Sequence, residues 1–314
     1  MDNYGAAQYH NHGGAGPNER YTVVLVGGLN GREWLSVASV ISFFFKLILL
    51  AEPNPDLKYR KNLDWIFIPV ANPDGYQYTK SGNSEERGWD RNRCRIQEGC
   101  VGVNLNANFR HDWGQFRDPY DRTKDMSGNY PGRQAESEPE THALVDLLST
   151  LERRGNKILA VFNIFGTGNN FLIPYADGER PKNYQDLLKA AWAGQQGIFS
   201  NYNDNGRSYR VGSIAQLTRN RTSGTLEDYV NRYTPIPYSY AINVPEGSYG
   251  GPDTGYLAAE YDIERTGSIL FHGITRAIDA MDEKSKERFI RGFRGGRSRS
   301  TNFIPNFIKS LLPN

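Results

Sequence analysis

The amino-acid sequence predicts an α/β protein, a three-layer α/β/α sandwich with a mixed, mostly parallel sheet. Two observations lead there. Short runs such as Val23-Val24-Leu25-Val26 are too continuously apolar to be half solvated, which marks strands covered on both faces. They alternate with stretches of helical length in the order strand, helix, strand, long loop, helix, strand, helix, strand, helix, and that alternation sets a sheet between helical layers. With 314 residues, 38% of them hydrophobic, the chain can bury a full core. No low-complexity linker interrupts the first ~280 residues, so one domain is expected.

The first strand, within residues 21–28, stops at Gly27-Gly28 and passes through the polar turn Asn30-Gly31-Arg32-Glu33-Trp34 into a helix beginning near Arg32. Open α/β sheets place their chemistry at such strand ends. Trp34–Ala51 is apolar almost all round and reads as a helix packed deep against the sheet, ended by Glu52-Pro53-Asn54-Pro55. Residues 63–70 form the next buried strand and run into the turn Asn72-Pro73-Asp74-Gly75-Tyr76. Ser137 and Glu140 have capping-box spacing at the start of a helix whose inward stripe is Ala143, Leu144, Leu147, Leu148 and Leu151. Residues 158–164 read as a strand, 184–199 as a helix, 208–213 as a short strand and Tyr238–Val244 as a strand ending on the same side as the others. A long amphipathic helix at 263–281 carries Ile263, Leu270, Ile274, Ala277 and Met281 on one face.

A net charge of +2 provides no bulk pull toward nucleic acid or membrane. Residues 1–16 are polar and Gly-rich, without the apolar core of a signal peptide, and the apolar run 42–50 contains Lys46 and falls short of the ~20 residues of a membrane span. Localisation stays open; the retained Met1 leans toward an intracellular or separately delivered product. The expected organisation is a flexible segment at 1–20, a domain at 21–283 and a basic tail at 284–314. The tail's Arg/Gly/Ser stretch and short apolar segment read as a solvated extension or as a contact for a partner or acidic surface. Cys94 and Cys100 either close one small loop or remain two thiols.

Several motifs together resemble the zinc metallocarboxypeptidases of the carboxypeptidase A/B type. The turn at Asn30–Trp34 resembles the family's His-x-Arg-Glu-Trp, and NPDGY at 72–76 matches as it stands. Residues 88–93 resemble its Trp-Arg-Lys-x-Arg segment, 102–109 its Gly-Val-Asp-x-Asn-Arg-Asn-Trp, and 131–141 the segment before its central helix. The resemblance spans residues 21–281. It implies the family's fold without the edge strands that usually precede Tyr21, and a bare sheet edge invites cover from a protein partner or a second copy of the chain. It also favours Cys100 as one half of a disulfide, with Met126 where the usual partner falls. Members of that family are mostly secreted.

The same resemblance, carried over residue by residue, implies a site stripped of its chemistry. The family's two zinc-binding His positions fall on Asn30 and Phe165, its ligand Glu on Glu33, its general-base Glu on Asn243, and its mobile Tyr on Arg219, or on Asn220 with a one-residue gap. A catalytic zinc needs three good protein donors, and an amide cannot act as a base, so no zinc or other cofactor is expected. Four separate losses imply a carboxypeptidase-like pseudoenzyme serving as a structural or interaction component of an assembly. The alternatives are an active zinc carboxypeptidase of apolar preference with displaced ligands, and a non-cutting binder of peptide C-termini. For the binder, Arg32, Arg93 and Asn106 match substrate-holding positions and Leu226 lies where side-chain preference is set, although Ala107 replaces an Arg; packing and ion pairing would equally account for them. Without a metal, Glu33 is expected to pair with Arg93, Arg219 or Arg32. Of the five histidines, His10 and His12 have chelating spacing but lie near a solvated terminus, His111 follows the Asn106 segment, and His142 and His272 fall in helices. Asn220-Arg221-Thr222 is a glycosylation sequon, relevant to a secreted chain.

Overall fold

The computed structural model describes residues 20–51, 59, 63–81, 84–94, 102–115, 130–201, 209–245 and 258–281. The segment to residue 19, the tail from 282, and Cys100 with Met126 lie outside them, so the choice between a Cys94–Cys100 bridge and two thiols, and both terminal segments, do too.

Six strands form one sheet in the order β2-β1-β3-β6-β4-β5. They are β1 (Tyr21–Gly27), β2 (Leu63–Ile68), β3 (Lys157–Thr167), β4 (Asn170–Leu172), β5 (Arg210–Gly212) and β6 (Tyr238–Val244). β1 runs parallel to β2 and β3, with Val24 opposite Ile66 and Val161, and β3 runs parallel to β6, with Phe162 opposite Tyr240. Only β4 turns against β6, which makes the sheet mixed.

Alternation along each buried strand splits the core into two faces. Val23 and Leu25 of β1, with Phe162 and Tyr240, pack against α1 (Trp34–Ala51), α5 (Tyr184–Asn201) and α8 (Glu260–Asp279) through Phe43, Leu187 and Ile274. Val24 and Val26, with Val161, pack on the opposite face against α4 (Pro139–Arg153) and α7 (Leu226–Tyr233) through Leu144, Leu148 and Val230. Shorter helices α2 (Pro73–Tyr78), α3 (Ser84–Arg87) and α6 (Ile214–Thr218) belong to the connecting loops. The expected three-layer α/β/α sandwich is therefore the observed one.

Two expectations are corrected. Helix α1 is not packed deep all round: Val40, Phe43 and Leu47 reach the core, while Ile41, Phe44, Phe45, Ile48, Leu49 and Leu50 are exposed. One helix meets a sheet along one stripe, and apolar residues outside that stripe stay outside it. At the start of α4, Glu138 is the N-cap and makes no side-chain cap bond, so the Ser137–Glu140 box does not form. Ser137 is drawn elsewhere, donating to Glu138 Oε1 and accepting from Asn108 Nδ2, and Pro139 at the first helical turn needs no cap partner. Ala143 is exposed, leaving Leu144 and Leu148 as the buried leucines of that helix.

Candidate functional site

The C-terminal ends of β1, β3 and β6 lie side by side, since the three strands run parallel as neighbours in the sheet. That is where open α/β sheets form a crevice. The turn after β1 is clamped by the NPDGY loop: Asn72 Nδ2 donates to the carbonyls of Leu29 and Arg91, both at 3.0 Å, and its Oδ1 accepts from Gly75 N–H at 2.9 Å. Gly31 and Gly75 are in backbone contact, since a Cβ on Gly31 would lie 2.7 Å from the Gly75 carbonyl carbon. Any side chain there would push the two loops apart.

Within this clamp the structure brings together Asn30, Glu33, Phe165 and Asn243. Glu33 is 3% exposed, and its Oε1 accepts from Asn30 Nδ2 at 2.7 Å. The Gly166 backbone N–H also stabilises the carboxylate, and the charge of Arg32 helps. Burial outweighs all three and pushes the Glu33 pKa up to about 7. Asn243 Nδ2 donates to the Phe165 carbonyl at 3.0 Å, while its Oδ1 accepts from Asn170 Nδ2 at 3.0 Å. Asn170 in turn accepts from Arg210 Nε at 3.2 Å. Gly166 (φ +61°) must be glycine, because its backbone is left-handed and a Cβ would fall 2.8 Å from Asn243 Nδ2.

Glu33 has no basic side chain within ion-pair distance among the described residues, which corrects the expected pairing. Arg32 points its guanidinium at Asp90 instead, 3.5 Å away. Arg93 lies over the Tyr78 ring at 3.6 Å from its centroid, and Arg219 is an exposed left-handed cap at the end of α6. With no basic side chain beside it among the described residues, burial is what raises this carboxyl's affinity for a proton.

The remaining residues spread from the crevice into the core. Asn106 sits in a short 3-10 turn, Leu105–Ala107, where its N–H is held by Asn104 Oδ1 and its own side-chain oxygen accepts from Asn163 Nδ2 at 3.1 Å. Leu226 is 1% exposed and packs in the α4/α7 core. Asn163, which sequence reasoning passed over, is fully buried and also donates to Glu227 Oε2 at 3.3 Å. Its signal was visible: a single amide inside the apolar run Val161-Phe162-Asn163-Ile164 has to find buried partners. Asn170 and Arg210 lacked any comparable cue.

These donors do not fit a zinc ion. The Asn30 amide turns an N–H onto the one carboxylate and Phe165 contributes a phenyl ring; Asn30 Oδ1 and Glu33 Oε2 are buried without partners among the described residues, but a neutral amide oxygen and one carboxylate fall short of the three good donors that zinc needs. Among the described residues, the group able to offer three metal-ligating atoms is His111, Asp112 and Asp177, outside this crevice.

Comparison with known proteins gives the lineage. The chain is 30% identical to human carboxypeptidase O over 259 residues, covering 80% of this chain and 63% of that protein. It is 30% identical to the inactive metallocarboxypeptidase ECM14 of Saccharomyces cerevisiae over 198 residues, covering 62% of this chain and 43% of that one. Among solved structures, carboxypeptidase A from Helicoverpa armigera superposes with a TM-score of 0.74 at 28% identity, over 84% of this chain and 62% of that chain. The chain spans 58–64% of the length of several carboxypeptidases that it matches. The family profile for zinc carboxypeptidases matches residues 6–273, and this chain belongs to that family.

Proposed function

We propose that this chain is a non-catalytic member of the zinc carboxypeptidase family that works through protein contacts. One observation carries the first half: the Asn30 amide N–H is bonded to Glu33 Oε1 at 2.7 Å, where the family would need an imidazole nitrogen facing a metal. Asn243 supports it, since an amide bonded to both the Phe165 carbonyl and Asn170 cannot take up a proton. The similarity to inactive metallocarboxypeptidases in yeast points the same way. The second half is supported by the apolar outer face of α1, where six large apolar side chains, Ile41, Phe44, Phe45, Ile48, Leu49 and Leu50, are exposed on one helix.

The test is release of C-terminal amino acids from peptides ending in apolar residues, with and without added Zn²⁺, alongside metal analysis of the purified chain. No release and no metal that depends on Glu33 are expected. Zinc at one equivalent, lost in Glu33→Ala together with measurable release, would restore an active carboxypeptidase. Calorimetry with free-acid peptides against their amides addresses the peptide-binding alternative, and equal heats for both would remove it.

A further inference from the structure

Away from the crevice, three side chains with ligating atoms converge between the turn at residues 111–115 and the loop after β4. His111, Asp112 and Asp177 each bring one ligand atom to within 4.8 Å of the other two. His111 and Asp177 are each 7% exposed, and Asp112 forms the outer rim. His111 Nε2 is buried without a hydrogen-bond partner and faces Asp112 Oδ2 at 3.8 Å. Buried ring nitrogens are ordinarily satisfied, so an orphan aimed at two acids is the sign of a missing third party. The ring is fixed in that pose. Its residue's carbonyl accepts from Gly224 N–H at 2.9 Å, and its face rests on Tyr175 with centroids 4.5 Å apart. Asp177 Oδ1 accepts from Glu179 N–H at 2.8 Å, which orients the carboxylate and leaves lone pairs for another partner.

We propose that His111, Asp112 and Asp177 bind a divalent first-row transition ion, with one imidazole and two carboxylates as protein ligands and water in the remaining positions. Mixed nitrogen and oxygen donors in this number suit zinc and its neighbours rather than calcium or magnesium. Arg232 lies near enough to be felt by the His111 ring, but it is one exposed charge against two acids. The ion would tie the turn beyond Asn106 to the loop beyond β4, two segments that already meet where the His111 ring packs on Tyr175. It uses none of the crevice residues, so it stands apart from the inactive reading above.

Isothermal titration of the chelator-dialysed full chain with Zn²⁺ tests this, with metal analysis of the product. One equivalent is expected, with affinity cut about 100-fold by His111→Asn or Asp177→Asn and about 10-fold by Asp112→Asn. Glu33→Gln and the His10→Ala/His12→Ala pair should bind as the wild type does. Asp112→Asn, at the rim, keeps the test open if the buried variants lose their circular-dichroism signature. No binding to the folded wild type, or binding indifferent to all three ligand variants, overturns the site. Binding lost in Glu33→Gln overturns it too and moves the ion to the crevice, which would separately sink the inactive reading.

Discussion

Glu33 shows how one side chain reports the state of its surroundings. Its pKa of about 7, against 4.5 for the free group, means that the folded chain holds a proton that the unfolded chain has released over that interval. The sign follows. Its contribution to stability is fully present below pH 4.5, declines as pH rises, and is lost above about 7, a span worth roughly 3 kcal/mol. Urea midpoints measured from pH 5 to 8 should fall with pH more steeply for the wild type than for Glu33→Gln, and the variant should be the more stable of the two at pH 8. A parallel pair of curves would mean that Glu33 is ionised and compensated by a group outside the described residues. Leu226 makes a second prediction at this scale. Since it is core rather than lining, Leu226→Ala should cost about 2–4 kcal/mol in urea unfolding. A loss under 1 kcal/mol would place it on an accessible pocket wall instead.

At the scale of elements, α1 and β2 share one apolar edge. Phe44, on the outward face of the helix, meets the half-buried Phe67 ring at 5.3 Å, so that face continues onto the strand. Among the described residues β2 pairs with β1 alone, leaving its other side without a strand. Exposed rings beside an unpaired strand form a surface that associates readily. Beside it, a groove between α1 and the start of α8 is lined by Ile41, Phe45, Tyr261 and Ile263, with Glu260 and Glu264 at its rim. Phe45→Asp should leave the unfolding free energy of the isolated chain, measured in urea, within about 0.5 kcal/mol of wild type, because more than half of the ring is in water already. In sedimentation velocity it should weaken any concentration-dependent association at least about tenfold. Association unchanged by this substitution would take the contact surface away from α1.

For the whole molecule, the sheet is that of the zinc carboxypeptidase family, and amides from Asn30, Asn243 and Asn170 stand at the ends of its strands. Much of this was readable along the chain. Helix α1 and strand β6 fall at the expected residues, β1 and β3 within a few, because continuous apolar runs and turn residues are local signals. The motif positions of Asn30, Glu33, Phe165 and Asn243 were equally plain, and the fold does gather them. What the chain could not display was how its buried polar groups would settle. Glu33 rests on an N–H from Gly166, Asn163 on Asn106 and Glu227, and His111 beside Asp177, all partners distant in sequence. Nor could it tell which side of an apolar helix would meet the sheet. Composition and order thus determined a parallel-rich α/β scaffold and the placing of an amide, Asn30, three residues before Glu33. The assembled structure alone decided that burial raises the pKa of this carboxyl and that half of α1 faces outward, because desolvation and long-range hydrogen bonding exist only once distant segments are in contact.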